Sequence, residues 1–304
     1  MNPHAKYWLG LTLLQDLPLP SLHRLLREFG SAEEIFSADP DKLLAAGLNQ
    51  RSVEQLREIE ESLDVIEQQA CDLAEEGIAI LTLADEDYPA NLRSIDDAPP
   101  VLFCRGALLA QDRRGVAIAG SRQASEAGLV RAREVALSLG RAGVTVVSGM
   151  AAGIDSAAHE GALDAGARTI GVLGCGIRAR LVGRQKNLAD RVVESGALLS
   201  ETQPNARTTV PALFARDRIV SGLSLAVVII EAAAESGTMD TARHARKQGR
   251  PIFVVDWGGN DDATAGNRRL IQQGSTALPE GDAAEFIMTS LSSPSSPSPQ
   301  LTLF

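Results

Sequence analysis

Three short segments of this chain join glycine to hydroxyl or basic residues where an apolar strand breaks into a helix. They are Gly120-Ser121-Arg122, Ser148-Gly149 running through Gly153 to Asp155, and Ser236-Gly237-Thr238. The chemistry open to such turns is anion binding. Small residues let backbone amides come close to a phosphate, and a helix N-terminus adds partial positive charge. An arginine such as Arg122 can grip two phosphate oxygens at once. Taken alone, Gly120-Ser121-Arg122 also reads as a tight strand–helix connection with a solvated arginine.

Two further sets supply positive charge. Arg184, Lys186 and Asn187 lie in the basic stretch that follows Gly171-Val-Leu-Gly-Cys-Gly176, itself read as a close-approach turn. A charge run of this kind is either a solvated face or a track along a phosphate backbone. Arg216 and Arg218 follow Phe214, a mix that suits phosphate contact with base stacking. The alternative is a surface helix with its arginines in water and Phe214 in the core.

Bond-breaking machinery is missing from the pattern. There is no nucleophile–base pair, no HExxH, no Walker lysine and no carboxylate cluster. Asp155 reads first as a helix cap, and His159, one turn later, as a structural side chain rather than a proton shuttle. Neither a metal nor a cofactor is expected.

The elements that position these turns follow from periodicity. Strands are expected at 116–119, 144–148, 169–173, 197–200, 225–230 and 252–255. Helices are expected between them, at 126–142, 157–165, 187–194, 208–221, 239–248 and 267–273. Apolar strands alternating with helices predict an α/β fold, an extended Rossmann-like parallel sheet covered on both faces. Ligands in such sheets sit beyond the carboxyl ends of the strands, where the glycine turns lie.

Residues 1–84 read as a small helical domain of the helix-hairpin-helix or sterile-alpha-motif sort, with one long helix over 52–76. Residues 85–100 read as a connector, 101–288 as the Rossmann-like domain, and 289–304 as a disordered Ser/Pro linker with a terminal peptide. Charge divides the same way. Residues 1–100 hold 7 Lys+Arg against 20 Asp+Glu, whereas the rest holds 22 against 19. The acidic front part therefore favours packing or self-association over DNA contact. Three scattered cysteines, no signal-peptide pattern and no apolar run of membrane-spanning length point to the cytoplasm.

The order of these turns resembles the DNA-processing protein A family (DprA, also called Smf). The resemblance is carried by Ala119-Gly-Ser-Arg122, Ser148-Gly-Met-Ala-Ala-Gly-Ile-Asp155, Ser236-Gly-Thr-Met-Asp-Thr-Ala242 and Asn267-Arg-Arg-Leu-Ile-Gln-Gln-Gly274. It implies a non-enzymatic single-stranded DNA-binding protein of natural transformation, recombination or repair. It also implies a homodimer that helps load the recombinase RecA, with Arg122 as the principal DNA contact. The member is divergent. The family's Phe-Pro-x-Arg-Asn-Arg is Leu213-Phe-Ala-Arg-Asp-Arg218 here, only Asn187 and a basic residue remain of its Tyr-Pro-x-x-Asn, and no C-terminal winged helix is expected.

Two alternatives stand beside that reading. One is a nucleotide sensor or a phosphoribohydrolase-like enzyme of the same superfold, kept alive by Asp240 although the Gly-Gly and glutamate of those enzymes are absent. The other is an adaptor. Gln300-Leu301-Thr-Leu303-Phe304 resembles the Q-L-x-L-F peptide that bacterial polymerases and repair proteins insert into the sliding clamp. Leu303 and Phe304 would fill a pocket, with Gln300 fixing orientation. The plain alternative is a frayed tail.

Overall fold

The computed structural model describes residues 4–14, 17–259 and 261–292. Six helices come first: α1 (Ala5–Leu11), α2 (Leu19–Phe29), α3 (Ala32–Ser37), α4 (Pro40–Ala45), α5 (Gln50–Glu60) and α6 (Leu63–Glu75). Local chemistry sets their ends. Ser31 caps α3 by accepting from Glu34 N, Asp39 caps α4 from Asp41 N, and Asn49 caps α5 from Ser52 N. The single helix expected over 52–76 is therefore two, broken at Glu61 and Ser62, because α5 and α6 turn different apolar stripes onto the core.

The rest alternates. It runs β1 (Ile78–Thr82), α7 (Ala90–Arg93), β2 (Val101–Gly106), β3 (Val116–Ala119), α8 (Glu126–Arg141), β4 (Val146–Gly149), α9 (Ile154–Asp164), β5 (Thr169–Val172), α10 (Gly183–Ser195) and β6 (Ala197–Ser200). It continues with α11 (Val210–Gly222), β7 (Ala226–Ile229), α12 (Thr238–Lys247), β8 (Ile252–Val255), α13 (Ala265–Gln272), β9 (Thr276–Leu278) and α14 (Ala283–Ser292).

The nine strands form one sheet in the order β1-β2-β6-β5-β4-β3-β7-β8-β9. The seven from β6 to β9 pair in parallel, and β1 and β2 add antiparallel at one edge. Every residue of β3 to β8 is buried, so both faces are covered. On β3, Val116 and Ile118 pack with α8, α9 and α14, while Ala117 and Ala119 pack with α11, α12 and α13. Odd and even residues of a strand point to opposite layers, so one apolar run serves two cores.

The fold class is α/β and Rossmann-like as expected, but the boundaries need correction. β1 lies inside the span 1–84 read as wholly helical. The connector 85–100 is packed rather than loose: Tyr88 is buried and its hydroxyl donates to Pro99 O at 2.7 Å. The linker does not begin at 289, since α14 continues to Ser292 with Ile287 in the core. The peptide Gln300, Leu301, Leu303, Phe304 lies outside the described residues.

The topology fixes where a ligand can sit. From β3 the chain moves outward through β4, β5 and β6 on one side, then returns through α11 to β7 on the other side of β3. The two carboxyl ends at that reversal, β3 and β7, open the crevice that receives ligands in doubly wound sheets.

Candidate functional site

A cavity of about 480 Å³ lies at that crevice. Gly120, Ser121 and Arg122 enter it after β3, Gly149 after β4, and Ser236, Gly237 and Thr238 after β7. Arg216 and Asp217 of α11 and Asp155 of α9 form its floor, and Phe214 stands at its mouth.

The first turn is pinned from below. Ser121 N donates to Glu231 O at 2.8 Å, and the buried Glu231 carboxylate accepts from Ser125 N at 3.1 Å, at the start of α8. Ser125, not Ser121, is the N-cap of that helix. Arg122 remains exposed, and it forms no ion pair among the described residues.

The second turn serves two purposes, and only one faces the cavity. A side chain at Gly149 would overlap Arg216, since a Cβ there would lie 1.8 Å from Nη1; the glycine makes room for the guanidinium. Gly153, at φ 80°, packs against the first turn instead, and Ile154 N donates to Ser121 O at 3.1 Å. Ser148 is fully buried and donates to Ile118 O at 2.6 Å. Ser148 and Gly153, both expected to bind phosphate, are therefore the joints that hold the first two turns together. Gly153 is also the N-cap of α9, so Asp155 sits in the first turn of that helix rather than capping it.

The third of these turns, Ser236–Thr238, is open. α12 starts at Thr238 with Gly237 as N-cap and no capping side chain. Ser236 Oγ donates to Ala233 O at 2.9 Å, which shapes the turn. The uncapped end aims its partial positive charge at the cavity.

The two arginines of α11 divide by helix geometry. Residues two apart point about 200° away from each other around the axis. Arg216 reaches the cavity floor, donating to Val172 O at 2.7 Å and to Asp217 Oδ1 at 2.9 Å. Arg218 points the other way, forms a bidentate pair with Glu201 at 2.5 and 2.6 Å, and donates to Asp97 O at 3.0 Å. It is 5% exposed. The expectation that Arg218 neutralises a bound strand is thus corrected: its charge is spent inside the protein. Phe214 is 44% exposed and belongs to the cavity mouth rather than to the core.

Burial raises both floor carboxylic acids. It pushes Asp155 above the usual carboxylate range against the pull of Arg216, and brings Asp217 to about 6. His159 faces neither. Its Nε2 lies 2.9 Å from Gly149 O and its Nδ1 2.7 Å from Thr169 Oγ1. A carbonyl can only accept, so Nε2 carries the proton. Burial holds the ring neutral by lowering its pKa to about 4, which makes His159 a structural strut.

Arg184, Lys186 and Asn187 are exposed on the first turn of α10 but do not line the cavity. Lys186 pairs with Asp190 at 2.5 Å. Gln185, which drew no attention in the sequence, is the residue of that turn that reaches inward. It donates to Met150 O at 3.2 Å and lines a second cavity of about 330 Å³ that shares Arg122 and Arg216 with the first. Helical phase distinguishes it from its charged neighbours, but only once the start of α10 is known.

A family model described as DNA recombination-mediator protein A matches residues 79–289. The chain belongs to this family. It is 30% identical over 282 residues to the Smf protein of Synechocystis, covering 91% of this chain and 71% of that one. It is 35% identical over 206 residues to the DNA processing protein DprA of Bacillus subtilis, covering 67% and 69%. Among solved structures, DprA from Streptococcus pneumoniae superposes with a TM-score of 0.77 at 27% identity, over 95% of this chain and 98% of that one. A Helicobacter pylori DprA, described for its mode of binding single-stranded DNA, superposes at 0.61 with 27% identity over 70% and 95%. The family match begins at Ala79, within β1, and so takes in the antiparallel edge of the sheet. No described helix is long and apolar enough to cross a membrane.

Proposed function

We propose that this chain binds single-stranded DNA along the carboxyl edge of its sheet, in DNA uptake, recombination or repair, without breaking bonds. One observation carries the reading. At the β3/β7 crevice an exposed Arg122, with no ion pair among the described residues, meets the uncapped start of α12 beside an exposed aromatic ring, Phe214. That set offers a phosphate its cation, its amide donors and a stacking surface for the neighbouring base. A single strand can lay a splayed base on Phe214, whereas a duplex keeps its bases stacked. The Helicobacter pylori relative binds the same class of ligand. Gly120, Ser121, Arg122, Gly149, Ser236, Gly237 and Thr238 are the contacts we assign, with Arg216 beneath them. Arg184, Lys186 and Asn187 extend the track across α10.

Fluorescence titration with labelled single- and double-stranded oligonucleotides across salt tests this. Affinity for oligo-dT should exceed that for duplex and fall steeply with salt. Arg122→Ala should weaken binding on the order of tenfold to a hundredfold and reduce the salt slope by about one. Undetectable binding at low salt, or an unchanged Arg122→Ala, sinks the reading.

A second reading is favoured by the two carboxylic acids of the cavity, Asp155 and Asp217. These suit a nucleotide sensor or a phosphoribohydrolase-like enzyme. Incubation with AMP separates the two: released adenine supports the enzyme, and intact AMP removes it.

Three partner assignments extend the DNA reading. The protein works as a homodimer, it hands single strands to a RecA-type recombinase, and its terminal Gln300–Phe304 peptide tethers it to the sliding clamp. All three place it in the cytoplasm. Pull-down on immobilised clamp, with and without the last five residues, isolates the tether.

A further inference from the structure

The floor of the larger cavity carries more negative charge than phosphate binding calls for. Arg216 is 6% exposed and commits donors to Asp217 Oδ1 and Val172 O. Asp155 closes in on the same guanidinium from α9: a Cβ built on Gly149 would lie 1.8 Å from Arg216 Nη1 and 2.5 Å from Asp155 Oδ2. Asp217 is therefore the carboxyl group paired with this buried guanidinium, and Asp155 acts on it from farther off. Around them stand Asp240 of α12, paired with Arg243 toward solvent, and Arg122 at the rim. A phosphate held by Arg122 and the start of α12 sits above this group.

We propose that Asp217 sets how strongly this cavity holds a phosphate, by placing one removable negative charge beneath the ligand. The inference rests on the DNA reading given above. When Asp217 is ionised it offsets Arg216 and repels the incoming anion. When it is protonated, the positive charge of Arg216 faces the phosphate with one opponent fewer. Burial supplies the removability, since it pushes the Asp217 carboxyl up to about 6 against the pull of Arg216, with Asp155 and Asp240 adding to the rise. A phosphodiester stays anionic throughout this range, so by linkage binding draws a proton onto Asp217 and tightens as pH falls through 6. Of the histidines packed nearby, only His244 can add to the pH dependence, and Asp217→Asn separates the share that belongs to Asp217. His159, behind Arg216, is held neutral, and His244 of α12 is lowered by burial and faces Asp97 and Arg218 as well as Asp240.

The test is fluorescence anisotropy with labelled oligo-dT, from pH 5.5 to 8.0 at constant ionic strength, on the full chain and on Asp217→Asn. Thymine has no group that titrates here. The wild-type protein should lose on the order of five- to twentyfold in affinity between pH 5.5 and 7.5, the change that a rise of one to two pKa units on binding produces. Asp217→Asn should bind at pH 7.5 at least as tightly as the wild type at pH 5.5, and the pH dependence should flatten. Calorimetry in two buffers of different ionisation enthalpy gives an independent reading on the unmutated protein: binding at pH 6.5 should take up protons. A variant that keeps the wild-type pH profile, or binding without proton uptake, overturns the proposal while leaving the DNA reading intact. Absence of binding by either protein at every pH overturns the DNA reading, and this inference with it.

Discussion

Arg216 and Arg218 show how little residue type alone decides. Both are arginines on one helix, two positions apart, and both are nearly buried. One lies under the ligand cavity and the other is locked to Glu201, because successive helical positions rotate by about 100°. The sequence displayed both as cations fit for phosphate; the direction of each depended on the phase of α11 against the sheet. The consequence is measurable. Glu201→Ala should leave Arg218 buried without its carboxylate and cost about 2–4 kcal/mol, somewhat less than a fully buried pair because Asp97 O and Ala215 O still accept from it. Urea denaturation reads that loss. DNA affinity at low temperature should not change, since Glu201 does not line the cavity. Lost affinity with intact stability would return Arg218 to the interface.

At the level of elements, the glycine turns were legible because the signal is local: an apolar run of four, a glycine, then helical spacing. What each turn does was not legible, because that depends on its neighbour. Gly153 illustrates this. Its φ of 80° and the 2.3 Å that a Cβ would leave to Ser121 O make it the point where the second turn locks onto the first. Gly153→Ala should cost about 2–4 kcal/mol, joining left-handed strain to an overlap with backbone that cannot move aside. It should also weaken DNA binding, because Ser121 and Arg122 shift with it. A chemical-denaturation midpoint equal to the wild type would refute this account of the joint. The strands that escaped notice, β1, β2 and β9, share a different property. They sit at the margins of the sheet: β1 and β2 lie outside the strand–helix alternation that revealed the others, and β9, after α13, is three residues long with two of them exposed. The Ile78–Thr82 run follows a helix and is exposed at Ala79, so its pairing with β2 had no local signature.

The whole molecule joins its front and its site through one core. Leu25, Ile35, Phe36, Leu56 and Leu73 of the helical part lie in the same apolar cluster as Met150, Leu173, Cys175 and Ile177. Met150, Leu173 and Cys175 also wall the smaller cavity. Arg178 clasps Glu76 at 2.7 and 2.9 Å, and Gln203 donates to Thr12 Oγ1 at 2.8 Å. The acidic helices therefore brace the binding edge from behind. Removing residues 1–76 should expose that cluster and speed amide hydrogen exchange across 173–189, while β3, β7 and β8 stay protected; unchanged exchange there would show the brace to be idle. The amino-acid sequence by itself determined the α/β class, the parallel strands, the places where glycine turns open and the family, because these follow from periodicity and short motifs within a few residues of one another. Only the tertiary structure decided which turns face outward, which arginine lines the cavity and which carboxyl groups lie on its floor. Those outcomes depend on contacts between residues as far apart as Gly149 and Arg216, and on the burial that shifts the protons they hold.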